Sequence, residues 1–187
     1  VHRPDDDFYP TPRYAIVPLL RCERFVSPSV WEPACGDGAL SKVLLEHGYR
    51  VISSNLTDRG YGETGVDFLK AQQLKAPNIV TNPPAKLATE FVIHALDLEV
   101  ECAAFLLRTK FLEGATRHAY LFSRRPPSVI YQFIERVVFY AGDTDRAAQP
   151  GWSNEAFAWF VWRHPYHGPP VVKWLHVDDG KQQKMAF

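Results

Sequence analysis

The sequence predicts an α/β domain built on a doubly wound, mostly parallel sheet, and three observations carry that expectation. In the first half, short apolar runs alternate with amphipathic stretches at helical spacing. Two of those runs end in turns rich in glycine or proline, at what would be the carboxyl edge of the sheet, where open α/β sheets bind ligands. The chain of 187 residues is 46% apolar and 13% aromatic, which supports a substantial core and excludes intrinsic disorder.

The elements follow in order. Residues 1–13 hold Pro4, Pro10 and Pro12 among three aspartates, so they form a non-helical arm. Residues 14–22 predict a short helix through Ala15, Ile16, Leu19 and Leu20, which Pro18 should limit to a first turn or a kink. A buried strand over 26–31 leads into Glu32-Pro33-Ala34-Cys35-Gly36-Asp37-Gly38. Residues 39–47 are amphipathic, with Leu40, Val43 and Leu44 inward and Gly48 as the stop. Strands are expected at 50–54, 65–68 and 78–81, the last cut off by Pro83-Pro84.

Residues 87–98 have helical spacing through Leu87, Phe91, Ala95 and Leu98. The apolar run 102–107 suits a strand buried on both faces. A helix near 113–123 follows, then strands at 129–133, 137–140, 156–162 and 171–177, with antiparallel pairing toward this end. Phe157 to Trp162 is apolar on both faces and reads as a central buried strand. The longest irregular stretch, Ala141 to Asn154, is a candidate mobile loop. No repeat, linker or low-complexity tract interrupts the chain, so one domain is expected over 1–187.

Charge and cysteine usage narrow the function. Lys and Arg total 21 and so do Asp and Glu, which excludes a strongly basic nucleic-acid domain but not a local basic face. Cys22, Cys35 and Cys102 are far apart with no C-x-x-C pair, which argues against a zinc site and for a reducing compartment. The opening VHRPDDD carries no secretory pattern, and no apolar run approaches the ~20 residues of a membrane span. A cytoplasmic protein without a membrane partner is expected.

Two motifs carry chemistry. The segment from Glu32 to Gly38 sits between a strand and a helix, where glycines let backbone pass close under a ligand and the helix offers free N–H groups. An ordinary strand-to-helix turn uses the same residues. Ser41 stands where a dinucleotide fingerprint needs its third glycine. The second motif is Thr81-Asn82-Pro83-Pro84-Ala85. Its prolines remove two backbone donors and stiffen the turn, leaving carbonyls, that of Pro83 above all, to accept from a ligand. The Asn82 side-chain oxygen adds a second acceptor. Two acceptors facing one amino group hold both hydrogens and direct the nitrogen lone pair at an electrophile. The bland alternative is a stiff turn with Asn as a helix cap.

On these residues the chain resembles the amino-methylating, S-adenosylmethionine-dependent methyltransferases, particularly small phage- or prophage-type DNA adenine-N6 enzymes. The resemblance implies a seven-stranded Rossmann-like methyltransferase fold with no separate target-recognition domain. It implies S-adenosylmethionine as cofactor, S-adenosylhomocysteine as product, DNA as partner and no metal. By the same resemblance, Tyr9, Thr11 and Pro12 belong to an N-terminal arm, within residues 1–25, that contacts the methionine part of the cofactor. Glu32, Ala34, Gly36 and Gly38 form the cofactor loop, and Asp67 with Phe68 lies near the cofactor's adenine. Asn82, Pro83, Pro84 and Ala85 match the catalytic motif.

Two positions depart from the family pattern. Ala85 stands where Tyr or Phe usually stacks on the acceptor base, leaving Phe8, Tyr14, Phe111 and Trp152 as substitutes. Asn55 replaces the usual ribose-binding carboxylate, with Asp58 as a possible stand-in. The expected activity is methyl transfer to adenine N6 in DNA, with weak, salt-sensitive and loosely specific DNA binding. The alternatives are cytosine N4, an RNA base, a protein glutamine amide, or a binding protein disabled by Ala85. His164 and His167 have metal-like spacing but read as a solvated loop. Asp5 to Asp7 read as a solvated arm or turn cap rather than a cation site, and Arg108, Lys110, Arg124 and Arg125 read as scattered surface charges or phosphate contacts.

Overall fold

The structure is a computed structural model that describes residues 9–139 and 155–177. The expected loop at 141–154, Phe8, Trp152 and Asp5 to Asp7 lie outside those residues.

Helix α1 (Arg13–Cys22) buries Ala15, Ile16, Leu19 and Leu20 and runs on through Pro18. That corrects the expected break. Proline forfeits one bond, to the Tyr14 carbonyl, but apolar burial on both sides of it holds the helix together. Strand β1 (Ser29–Glu32) starts later than expected, after Pro28, with Val26 left exposed. Helix α2 (Ala39–Glu46) ends at Gly48, whose φ of +86° is the left-handed stop the sequence suggests. Strands β2 (Arg50–Ser53) and β3 (Asn78–Thr81) follow.

No strand forms at 65–68. Instead, the Asp67 carboxylate accepts from Leu69 N at 3.1 Å and caps a single tight turn, Phe68–Lys70. After β3 come a short turn, Ala85–Leu87, and helix α3 (Ala88–Asp97). Strand β4 (Cys102–Arg108) precedes a turn at Thr109–Leu112 and a short helix, α4 (Ala115–Arg117), which widens over His118–Phe122. Strands β5 (Val129–Phe133), β6 (Phe157–Arg163) and β7 (Val171–Leu175) complete the set. Of the strand expected at 137–140, residues 137 and 138 are not in a ladder and Phe139 makes a β-bridge, while residue 140 lies outside the described residues. The Tyr14 hydroxyl takes both backbone groups of Val138, donating to its carbonyl at 2.7 Å and accepting from its N–H at 2.9 Å.

The seven strands make one sheet in the order β2-β1-β3-β4-β6-β5-β7. Strands β2, β1, β3 and β4 are mutually parallel, β6 runs antiparallel to β4 and β5, and β7 is parallel to β5. Two cores flank it. Cys102, Ala104 and Leu106 of β4 join Trp159 and Val161 of β6 under α1 and α2. Ala103, Phe105 and Leu107 join Phe160 and Trp162 under α3. Alternate residues of both strands thus serve opposite faces, as period-two geometry requires. The outer strand β7 is exposed along most of its length, with Trp174 on the surface.

Away from the ligand edge, Glu23 is fully buried just past α1. It accepts from Tyr131 Oη at 3.0 Å and from Arg163, whose Nε lies at 3.1 Å, tying α1 to β5 and β6. Removing one partner of such a pair leaves buried polarity uncompensated. Glu23→Ala should therefore lower stability by about 3 kcal/mol, the low end for buried pairs because Arg163 is partly wet. Urea unfolding checks this, and a loss below about 1 kcal/mol would mean that water already satisfies Arg163 and Tyr131.

Candidate active site

A cavity of about 950 Å³ opens at the carboxyl ends of the parallel strands. Each strand delivers one polar side chain there: Glu32 closes β1, Asn55 follows β2, Asn82 follows β3 and Arg108 closes β4. The arm residues Tyr9, Pro10 and Thr11 line the same space.

The arm and the Asn-Pro-Pro motif meet directly. Asn82 Nδ2 donates to Thr11 Oγ1 at 3.2 Å, across 71 positions of sequence, and Thr11 is buried. With its nitrogen engaged, the Asn82 amide has its oxygen to offer. Among the described residues, no hydrogen bond engages the Pro83 carbonyl, whereas that of Pro84 accepts from Leu87 N at 2.9 Å. Asn82, Pro83, Pro84 and Ala85 all line the cavity.

The glycine loop is held from below. Glu32 is buried and accepts from the Ser41 hydroxyl, which also meets Ser53 Oγ at 2.6 Å. Burial pushes the Glu32 carboxyl up to about 8, against the Ser41 hydrogen bonds that lower it, while the Asp37 charge adds to the rise. Burial and then the Glu32 charge push the neighbouring Cys35 thiol up to about 11, so it is no nucleophile near neutrality. Gly36 turns with φ +55°. Gly38, with φ +81°, lies under the Tyr61 ring, and any Cβ there would fall 2.4 Å from that ring.

Several expected site residues are placed elsewhere. Asp67 is spent on its own turn and on an ion pair with Lys70 at 3.2 Å. Phe68 is core, edge-on to Trp31 at 5.1 Å. Asp58 accepts from Gly60 N at 2.9 Å, Pro12 caps α1, and Gly38 supports Tyr61; none of these five lines the cavity. Asn55 does, although its Nδ2 donates to Thr57 O at 2.6 Å.

Of the substitutes for the absent ring, Phe111 lines the cavity but is packed on Phe122 at 5.9 Å and Phe160 at 5.7 Å. Tyr14 is committed to Val138 and is not on the wall. Sequence reasoning missed Phe139, Phe157, Arg117 and Glu155, all of which line the space. Glu155 pairs with Arg108 at 2.5 Å and Lys110 at 3.0 Å. Only the spacing of the two cations was visible in the sequence. Among the described residues, no three His, Cys, Asp or Glu side chains could hold a metal, and no helix is long and apolar enough to cross a membrane.

No family model matches the sequence, and no curated protein is similar to it at a significant level. Solved structures do match. The modification subunit assigned to a type I restriction enzyme of Vibrio vulnificus has 15% identity and a TM-score of 0.58, over 95% of this chain and 49% of that one. The chain has the Rossmann-like methyltransferase fold. A Pyrococcus horikoshii protein assigned as an RNA methyltransferase matches at 13% identity and TM-score 0.53, over 72% of this chain and 73% of its own. An Agrobacterium tumefaciens protein assigned as an O-methyltransferase matches at 11% and 0.55, over 90% and 86%. This chain spans about half the length of the two restriction-system subunits, 49% in Vibrio vulnificus and 44% in Streptococcus thermophilus.

Glu32 gives the site a titration signature. An unfolded glutamate ionises near 4.5 and the folded one near 8, so between those values only the folded state keeps the proton. Stability should fall as pH rises through that window. Glu32→Gln should remove that component of the slope, as read from urea midpoints at pH 5 to 8; identical pH dependence in both proteins would refute it.

Proposed function

We propose that the protein transfers a methyl group from S-adenosylmethionine to an exocyclic amino group, with adenine N6 in DNA as the favoured acceptor. One observation supports the reading: the Asn82 amide, anchored through its nitrogen to Thr11, has its oxygen to offer next to Pro83, whose carbonyl takes no hydrogen bond from the described residues, on a cavity large enough for a cofactor and a base.

The residues present fit that cofactor. Glu32 offers a carboxyl to an ammonium group, the Gly36 turn lets backbone approach without a side chain, and Asn55 offers an amide to a hydroxyl. Tyr9 and Thr11 complete the holding set, with Ala34 beside the loop. Asp67, Phe68 and Asp58 have no place in it. When bound, S-adenosylmethionine supplies an electrophilic methyl group on a sulfonium.

The chain's own residues then do three things. Asn82 Oδ1 and the Pro83 carbonyl accept the two amino hydrogens, which turns the nitrogen lone pair away from the protein and toward the electrophile. Pro84 stiffens the turn, so that little reorganisation is needed at reaction. After transfer the nitrogen carries one proton too many, and those same acceptors stabilise the charge until water removes it. A base within a duplex must leave the stack to reach this pocket. With no net charge on the chain, binding to DNA is weak and salt-sensitive.

Glu32 adds a linkage. An ammonium group beside it favours the ionised carboxylate, so cofactor binding releases a proton below about pH 8.

Asn82→Ala should abolish transfer of labelled methyl groups to adenine-containing DNA while leaving cofactor affinity within about threefold, a difference of less than 1 kcal/mol. Calorimetry and digestion of the product with mass detection read the two quantities separately. Retained turnover would remove Asn82 from its role, and failure of the wild-type chain to bind S-adenosylmethionine would remove the function.

A further inference from the structure

Ala85 leaves the cavity without the ring that would support a flat acceptor, and the wall beside it holds an unusual replacement. Arg117 lies with its guanidinium carbon 4.3 Å from the centre of the Phe111 ring. Its Nη1 donates to the Phe111 carbonyl at 2.7 Å and the Glu113 carbonyl at 2.5 Å, and its Nε donates to Thr89 Oγ1 at 3.2 Å. Thr89 stands four residues after Ala85, at the start of α3. Arg117, Phe111 and Ala85 all line the same cavity.

These bonds leave the guanidinium little freedom. They engage Nη1 and Nε, and the guanidinium carbon lies over the Phe111 ring. Phe111 cannot swing out, because Phe122 and Phe160 hold it. The Gly114 turn, with φ +111°, brings the chain round so that Arg117 folds back over the ring. A guanidinium fixed in this way is a flat, cationic shelf on which nucleobases stack, with cation–π attraction added.

The geometry points to Arg117, seated on Phe111, as the stacking platform for the acceptor base, with the small side chain of Ala85 leaving the room that this platform needs. The inference rests on the amino-group acceptor proposed above and goes further by naming its class: a planar, electron-rich nucleobase rather than a glutamine amide, whose small plane offers far less area for stacking.

The test compares two single-stranded oligonucleotides, one with a single adenine and one with an abasic site at that position. Fluorescence anisotropy measures affinity for both, so that phosphate contacts cancel. Wild-type protein should prefer the adenine strand by about tenfold or more, the scale of one base stack. Arg117→Lys, which keeps the charge and loses the plane, should bring the preference near unity. Ala85→Tyr combined with Arg117→Ala should restore it, a rescue that a merely structural arginine would not allow. Tyr9→Ala and Phe157→Ala should leave it intact. Preference that survives Arg117→Lys, that the double variant fails to recover, or that follows Tyr9 or Phe157 instead, overturns the platform. Methyl transfer is scored on the same strands: transfer without an Arg117-dependent preference sinks only the platform, and preference without transfer sinks only the methylation reading.

Discussion

The architecture depends on the antiparallel pairing of β4 with β6. Seven consecutive residues are in register, from Cys102 opposite Arg163 to Arg108 opposite Phe157. Both strands are buried on both faces, so this ladder is the seam shared by the two cores. Backbone groups in such a place have no water to fall back on and must pair with each other. What the seam fixes at its end is the site: Arg108 is the last residue of β4, and the turn beyond it carries Lys110 and Phe111 to the cavity wall.

The seam also explains what was legible in the sequence. Cys102 to Leu107 and Phe157 to Trp162 are apolar at every position, a pattern only doubly covered strands can use. Asn78–Thr81 was equally plain, ended by prolines that cannot continue a ladder. Failures came where a polar side chain took over a backbone partner. Asp67 drew Leu69 N into a turn where a strand had been expected, and Tyr14 did the same to Val138 from 124 positions away. The first is a local alternative that short acids always offer. The second is tertiary and leaves no trace in local periodicity.

The site divides in the same way. Asn82, Pro83 and Glu32 line the cavity as the sequence suggested, because residues that close or follow parallel strands come to the carboxyl edge of the sheet. Arg117 and Glu155 were not legible in the sequence: Glu155 pairs with cations far off in sequence, and Arg117 folds back on Phe111 and Glu113 and across to Thr89, contacts that local periodicity does not encode. Asp67 is a residue of the expected type whose carboxylate accepts from Leu69 N and pairs with Lys70, partners that the sequence reading did not weigh. The pairing of Glu155 with Arg108 and Lys110 likewise puts a carboxylate among cations that sequence alone would offer to phosphate.

The placement of the tryptophans gives the molecule an optical character. Trp31, Trp159 and Trp162 are wholly enclosed, in β1 and in the β6 half of the seam, while Trp174 stands 69% exposed on β7. Emission from the described residues is therefore a sum of two populations, dry indoles in the interior and one wet indole at the sheet edge. A soluble quencher such as iodide reaches only the second. With Trp152 replaced by Phe, the quenchable fraction of these four indoles reports on the outer strand and the rest on the seam, so loosening at the edge and collapse of the centre can be told apart without a label.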